Sequence, residues 1–272
     1  MLDKITEKSP AKINLFLKII NKREDGYHNI RTGITFLNIY DEITVQPHQK
    51  FEVIYSGDFA PENNKFVDCI VTKLFSFLKI DPPRFLISIN KNFPYKAGLG
   101  SASSNVATII KILENLEIIK KQNIFEYVDL GSDVPLFLNQ KDCLVRGKGD
   151  LISNILFPKY YFLLVKPIFT CSTAKMYNSF LSSDFDYNSE FDLEDINDED
   201  NGNDFEKILK KTEPEFTIIY EYLENLEGSI FTRLTGSGSC IFTAFEDKNN
   251  LFKARDMFTK NFPKLWVSIA EN

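Results

Sequence analysis

Histidine and cysteine are scarce in this 272-residue chain, with two of the first and four of the second. Cys69, Cys143, Cys171 and Cys240 stand far apart, form no CxxC pair and have no neighbouring histidine, which argues against a zinc set. Reduced thiols in the core of a cytoplasmic protein are expected instead. With so few histidines, His28 cannot anchor a metal alone, and no metal-ligating residues are assigned. Basic charge is not in excess either. A net charge of -6 and a pI near 5.2 disfavour a general grip on nucleic acid or an anionic membrane, and leave a small molecule as the expected partner. Long apolar runs are also missing. The first ten residues carry charges throughout, and no later run approaches the roughly 18 residues of a membrane span, so neither export nor insertion is expected.

What is present is ample for a core, at 43% hydrophobic residues. Ala11, Ile13, Leu15, Leu17 and Ile19 alternate with Lys12, Asn14, Phe16 and Lys18, which predicts a strand carrying Lys12 and Asn14 on one face. Further strands are expected at 32–39, 42–45, 51–55 and 85–91. Val67, Ile70, Val71, Leu74, Phe75 and Leu78 recur at helical spacing, as do Val106, Ile109, Ile110, Leu113 and Leu116. The pattern pauses around 151–159 before the buried-strand run "YYFLLVKP", so a domain boundary is placed near residue 155, giving domains 1–155 and 156–272. The second half predicts a helix after Ser172, a solvated acidic loop at 184–204, helices near 205–211 and 215–227, and strand, turn, strand in "FTRLTGSGSCIFTAF". A helix near 249–259 and a strand at 266–269 complete an α+β chain without internal repeats.

The run Gly98, Leu99, Gly100, Ser101, Ala102, Ser103, Ser104 stands directly before a helix. A helix start has unpaired N–H groups and the positive end of the macrodipole, and glycine permits close approach, so the stretch suits a phosphate or, more blandly, a tight loop with a serine cap. It is not a P-loop, because the one Gly-Lys pair, Gly147-Lys148, lacks the upstream glycine. Nor is it a dinucleotide fingerprint, since Ser103 occupies the place of the third glycine.

Three blocks in this order, "SPAKINLFLKI", "PYKAGLGSASSNVAT" and "LTGSGSCIFTAF", resemble the GHMP small-molecule kinases. "REDGYHNI", "LGSDVPLFL" and "NGNDFE" resemble one branch of them, acting on a cytidine diphosphate sugar alcohol in the non-mevalonate isoprenoid pathway. The resemblance implies a two-domain α+β kinase with its active site in the interdomain cleft, ATP with Mg2+ as donor, and the 2-hydroxyl of the sugar alcohol as acceptor. It implies ATP contacts from Pro94, from Gly98 through Ser104, from Gly236 and Ser237 with Gly238 in the same turn, and from Asn64 and Lys91 near the adenine. Relatives carry a richer glycine run; here Lys96 and Ala97 precede Gly98, and Ser101 and Ala102 replace glycines. Ser103 or Ser104 is the candidate for reaching Mg2+.

Phosphoryl transfer needs alignment, charge neutralisation and a proton acceptor. Asp133 is a lone carboxylate among Gly, Val, Pro and Leu, where burial demands a cation or donors, and Lys12 is the natural partner. Asp133 is the candidate general base, with Lys12 orienting the hydroxyl and Asn14 fixing the acceptor; a helix N-cap is the alternative for Asp133, and a surface ion pair for Lys12. By position in the resemblance, Tyr27 stacks on the cytosine, His28 reads its edge, Tyr177 is a second stacking aromatic in place of phenylalanine, and Thr173 lies near the acceptor. Taken alone, Tyr27 and His28 read as turn residues. A monomer or weak homodimer is expected. Another GHMP kinase, for homoserine, mevalonate or a sugar, and a catalytically silent ligand sensor on the same fold are the competing readings.

Overall fold

The computed structural model of the chain describes residues 4–62, 70–180 and 202–272. Asn64, Cys69, Val67 and most of the acidic stretch, residues 184–201, lie outside them. Two long strands open the chain, β1 (Ile5–Lys22) and β2 (His28–Pro47). β1 exceeds the expected 11–19, and β2 merges the two strands expected at 32–39 and 42–45. The described chain divides into two compact units, each discontinuous in sequence, and β1 and β2 supply residues to both.

The first unit takes Met1–Ala11, Ile39–Tyr95 and Gly100–Gln140. Here β2 pairs antiparallel with β4 (Phe85–Asn90), from Glu42 opposite Asn90 to Pro47 opposite Phe85, and β3 (Glu52–Ser56) runs parallel on the other edge of β4. Phe85, Ile87 and Ile89 alternate into the core, as a strand's period of two requires. Helix α1 (Ile70–Leu78) buries Val71, Leu74 and Phe75, and α2 (Ser101–Asn115) buries Val106, Ile109, Ile110 and Leu113. A 3-10 helix (Ile124–Leu130) leads into α3 (Val134–Asn139), which packs on α2.

The second unit takes Lys12–Asn38, Lys96–Leu99 and Lys141–Asn272, and residue 155 lies within it. The first part of β2 pairs with β5 (Cys143–Gly147), which forms a hairpin with β6 (Leu151–Asn154). The hydrophobic pattern lapses at β6 because this edge strand is half exposed, not because the chain leaves the sheet. A four-stranded antiparallel sheet has the order β10 (Trp266–Glu271), β7 (Tyr161–Lys166), β9 (Ile241–Phe245), β8 (Phe231–Leu234). Helices α6 (Pro214–Glu224) and α7 (Lys248–Asn261) pack on it. The short helices α4 (Thr173–Asn178) and α5 (Glu206–Thr212) complete the unit. Leu17 and Ile19 of β1 join Leu163, Val165, Phe205, Phe216, Leu223 and Phe258 in its core.

Candidate active site

The first third of β1 inside the second unit is buried on both faces, so its polar side chains need partners. Lys12 and Asn14 are each 4% exposed. The Lys12 ammonium donates to Asn14 Oδ1 at 2.5 Å, and Asn14 Nδ2 donates to Thr32 Oγ1 at 2.8 Å. The Thr32 hydroxyl donates a hydrogen bond to the carbonyl of Phe16, and Asn14 N–H donates to Thr235 Oγ1 at 3.0 Å. The shared face expected for Lys12 and Asn14 is therefore a bonded, buried pair.

A tight backbone junction lies against that pair. A Cβ on Gly98 would stand 2.1 Å from the Thr235 carbonyl oxygen, and one on Gly236 would stand 3.3 Å from Asn14 Oδ1 and 3.5 Å from Lys12 Nζ. The bare backbone at Gly98 thus has a cause that the phosphate-loop reading omits: the chain at Thr235 occupies the space. Leu99 is buried, and its carbonyl accepts from Lys12 N–H at 3.1 Å. Lys96, Gly98 and Gly100 take positive φ at alternate positions, 54°, 78° and 76°, a pattern that turns successive N–H groups to one side. On the far side of Gly236, half-buried Ser237 shares a hydrogen bond of 2.8 Å with the exposed Thr173.

In the first unit, α2 begins at Ser101 after its N-cap Gly100, with Pro94 buried upstream and Ala102 exposed on the first turn. Beneath this turn is a buried polar network. The Lys91 ammonium donates to Asp41 and to Ser101 Oγ, and to Asn105 Oδ1 at 2.8 Å. Asn105 Nδ2 donates to Asp41 and to Ser9, both at 2.9 Å. Ser9 donates to Ser104 Oγ at 2.8 Å, and Ser104 to the carbonyl of Pro10 at 2.6 Å. Burial holds the Lys91 pKa below the usual lysine value against the opposing pull of Asp41. Lys91, expected near the adenine, instead points its three donors inward, because the buried Asp41 carboxylate demands a cation. The serine at 101, where relatives carry glycine, is drawn into the same network. Ser104 has its hydroxyl committed, while half-buried Ser103 takes no part in the network.

Asp133 is half-buried at the start of α3. It stands at the N-cap position of α3, as the alternative reading expected; its backbone carbonyl accepts from Leu136 at 3.1 Å, while its carboxylate makes no capping bond. Lys111 of α2 fixes the other end of α3 through the Phe137 carbonyl at 2.9 Å and Gln140 Oε1 at 2.7 Å. A Cβ on Gly131 would lie 3.3 Å from Ser103 Oγ, so the approach to Asp133 runs close by the first turn of α2.

At the exit of β1, Tyr27 is 63% exposed, under the ammonium of Lys148 at 5.7 Å from its ring centre. His28 is buried and stacks on Tyr177 with centroids 5.1 Å apart and planes 26° from parallel. Tyr177 in turn makes a T-shaped contact with Phe205, ring centres 4.9 Å apart. Burial first, then the charge of Lys22, pulls the His28 pKa below the ordinary value, favouring a neutral imidazole.

Residues 65–139 match the family model for the N-terminal domain of GHMP kinases, and residues 188–264 that for GHMP kinases C terminal. A 4-diphosphocytidyl-2-C-methyl-D-erythritol kinase of Francisella tularensis subsp. holarctica is 35% identical over 95% of this chain and 94% of its own length. One from Neisseria meningitidis serogroup B is 31% identical over 90% of this chain and 87% of its own. The chain belongs to the 4-diphosphocytidyl-2-C-methyl-D-erythritol kinase family of GHMP kinases. A crystal structure of 4-(cytidine 5'-diphospho)-2C-methyl-D-erythritol kinase shares the fold at TM-score 0.80, 24% identity and coverage of 98% of this chain and 100% of that one. The Methanococcus jannaschii mevalonate kinase follows at TM-score 0.65 and 17% identity, covering 98% of each chain.

A member of this family is a phosphotransferase. Membership accounts for the run of small residues before α2 and for the second glycine turn at 236–238, but not for the polar groups that hold them. Asp41, Thr32 and Lys111 lie outside the blocks that carry the resemblance, and Asn105 and Thr235, though inside them, are like the others defined by a partner far along the chain. The acidic stretch is also corrected at its end. Asn203 and Asp204 are buried, not solvated: Asp204 accepts from the Ile19 N–H at 2.7 Å and pairs with Lys18 at 3.3 Å. Cys143, Cys171 and Cys240 are free thiols, pushed by burial up to about 12, 11 and 12. No described helix is long and apolar enough to cross a membrane.

Proposed function

We propose that this protein transfers the γ-phosphoryl group of ATP to the 2-hydroxyl of 4-diphosphocytidyl-2-C-methyl-D-erythritol. The likeness to kinases named for that acceptor, 35% identity over 95% of the chain, carries the choice of substrate. The chemistry follows from the side chains. The free N–H groups at the start of α2 and the turn at Gly236 and Ser237 take the phosphates, where dipole and donors favour negative charge. Asp133 accepts the hydroxyl proton, while Lys12, steadied by Asn14, orients that oxygen and offsets charge developing in transfer. Magnesium, when bound with ATP, draws charge from the β- and γ-phosphates. It would come with the nucleotide, and Ser103, whose hydroxyl is outside the Ser9–Ser104 network, would be the hydroxyl to meet it.

Tyr27 stacks on the cytosine, neutral His28 reads its edge, and Tyr177, stacked beside His28, is the second aromatic of the base site. Thr173 lies toward the acceptor. ATP turnover by the purified protein with 4-diphosphocytidyl-2-C-methyl-D-erythritol, mevalonate, homoserine and galactose tests the reading. Turnover is expected with the cytidylyl substrate alone. Turnover with another of the four keeps the kinase and overturns the role of Tyr27 and His28; no turnover with any of them supports the silent sensor.

A further inference from the structure

The segment 202–206 meets β1 and the chain around Thr235, all within the second unit. Leu17 N–H donates to the Gly202 carbonyl at 3.3 Å, and Asp204 N–H donates to the Leu17 carbonyl at 2.9 Å, a short parallel bridge. The other side of the segment is held by side chains. Asn203, 2% exposed, donates one amide bond to the carbonyl of Leu234 at 2.9 Å and one to that of Gly236 at 2.7 Å. Its Oδ1 accepts from Phe205 N–H at 3.0 Å, and Glu206 Oε1 accepts from Leu234 N–H at 2.7 Å. The two carbonyls bracket Thr235, whose hydroxyl receives Asn14 N–H, and Asn14 receives the Lys12 ammonium.

We propose that Asn203 is a positioning residue for phosphoryl transfer: by gripping the carbonyls on both sides of Thr235 it sets the Gly236-Ser237 turn and, through Thr235 and Asn14, the Lys12 ammonium. The inference rests on the function proposed above. Only a side chain with two donors and an acceptor on one planar group makes all three bonds. An aspartate of the same shape keeps the bond from Phe205 and turns a charged oxygen toward two carbonyls, so it breaks the grip without leaving a cavity. Tyr27, at the nucleobase end, makes none of these bonds, and the bond from Phe205 N–H, next to the Tyr177 contact, is the one that the aspartate keeps.

The test is Asn203→Asp in the full chain, read three ways: steady-state kinetics with the cytidylyl acceptor, affinity for CDP as a probe of the base site, and amide exchange by mass spectrometry. The expected result is a fall in kcat of about tenfold or more, CDP affinity within about twofold, and faster exchange in peptides covering 231–240 while those covering 161–166 keep their protection. A kcat within about twofold of the parent, or loss of protection everywhere alike, overturns the proposal. Should the parent not phosphorylate the acceptor, the function reading fails and exchange alone decides: unchanged exchange at 231–240 then rejects the role of Asn203. Should Asn203→Asp not fold, Thr235→Val removes the hydroxyl that the grip places. The same fall in kcat is expected, and parental kcat overturns the proposal.

Discussion

Between Ser9 and Leu17, β1 is buried on both faces, and Lys12 and Asn14 are tied into a chain of hydrogen bonds that reaches Thr32 and Thr235. Past Lys22 the same strand exits into a turn of the opposite character. Arg23, Asp25 and Tyr27 are exposed, and their mutual bonds, such as Arg23 to Asp25 at 3.1 Å, are surface pairs that contribute little to stability. One end holds Lys12 and Asn14 to fixed positions through burial, and so makes them expensive to alter. The other leaves an aromatic side chain exposed, and can lose it without unfolding. Substitutions should therefore separate into those that cost folding and those that cost only affinity.

The harshest test is Gly98→Ala. A methyl group 2.1 Å from the Thr235 carbonyl, at φ 78°, cannot be accommodated without moving backbone, and a loss of more than about 4 kcal/mol, or no soluble protein, is expected in thermal denaturation. A parental Tm would show that the junction opens freely and would break the contrast. Lys91→Met follows at about 3–5 kcal/mol, because it strands the buried Asp41 charge. In urea titrations the double variant Lys91→Met/Asp41→Asn should recover part of that loss; simple additivity would mean that the pair is not coupled.

Glu206→Gln probes the same buried end through pH. Burial pushes the Glu206 carboxyl up to about 7, against bonds from Leu234 N–H and Tyr220 and the charges of Lys210 and Arg233. Burial first, then the neighbouring Glu206 and Glu224, raises the Tyr220 hydroxyl, which stays protonated. The unfolded chain releases the Glu206 proton near the ordinary carboxylate value while the fold keeps it to about 7, so the native state binds more protons between the two and stability falls as pH rises through that window. The glutamine variant should lack this decline and exceed the parent by about 3 kcal/mol at most at pH 8. Parallel stability curves from pH 5 to 8 would contradict the assignment. Tyr27→Ala should change stability least, by less than about 0.5 kcal/mol; a larger drop in Tm would show that the turn is part of the core after all.

Strand β1 was legible because its apolar residues alternate, and the start of α2 because small residues precede a helical run. Their supports were not. Thr235 and Asn203 act through backbone carbonyls distant in sequence, which no period or spacing reveals. Gly98 shows the limit sharply: its bareness was visible, yet the carbonyl of Thr235, more than a hundred residues away, supplies a cause besides a ligand. Lys91 illustrates the converse, since a lysine beside the phosphate loop invites a nucleotide role, and only the fold shows Asp41 waiting beneath it. The end of the acidic stretch departs from its composition for the same reason. Composition makes 184–204 a solvated loop, while Asp204 is spent on a backbone N–H of β1.

Asp133 is proposed for the chemistry and Tyr27 for recognition of the base, and kinetics can separate the two. The most direct measurement is steady-state kinetics of Asp133→Asn and Tyr27→Ala, side by side, with the cytidylyl acceptor at saturating ATP. The account predicts that Asp133→Asn lowers kcat by about 10^2 to 10^4-fold with acceptor KM little changed. For Tyr27→Ala it predicts an acceptor KM raised by about five- to a hundredfold, as loss of one base stack implies, with kcat largely kept. Near-parental kcat in Asp133→Asn, or an unchanged acceptor KM in Tyr27→Ala, would contradict it.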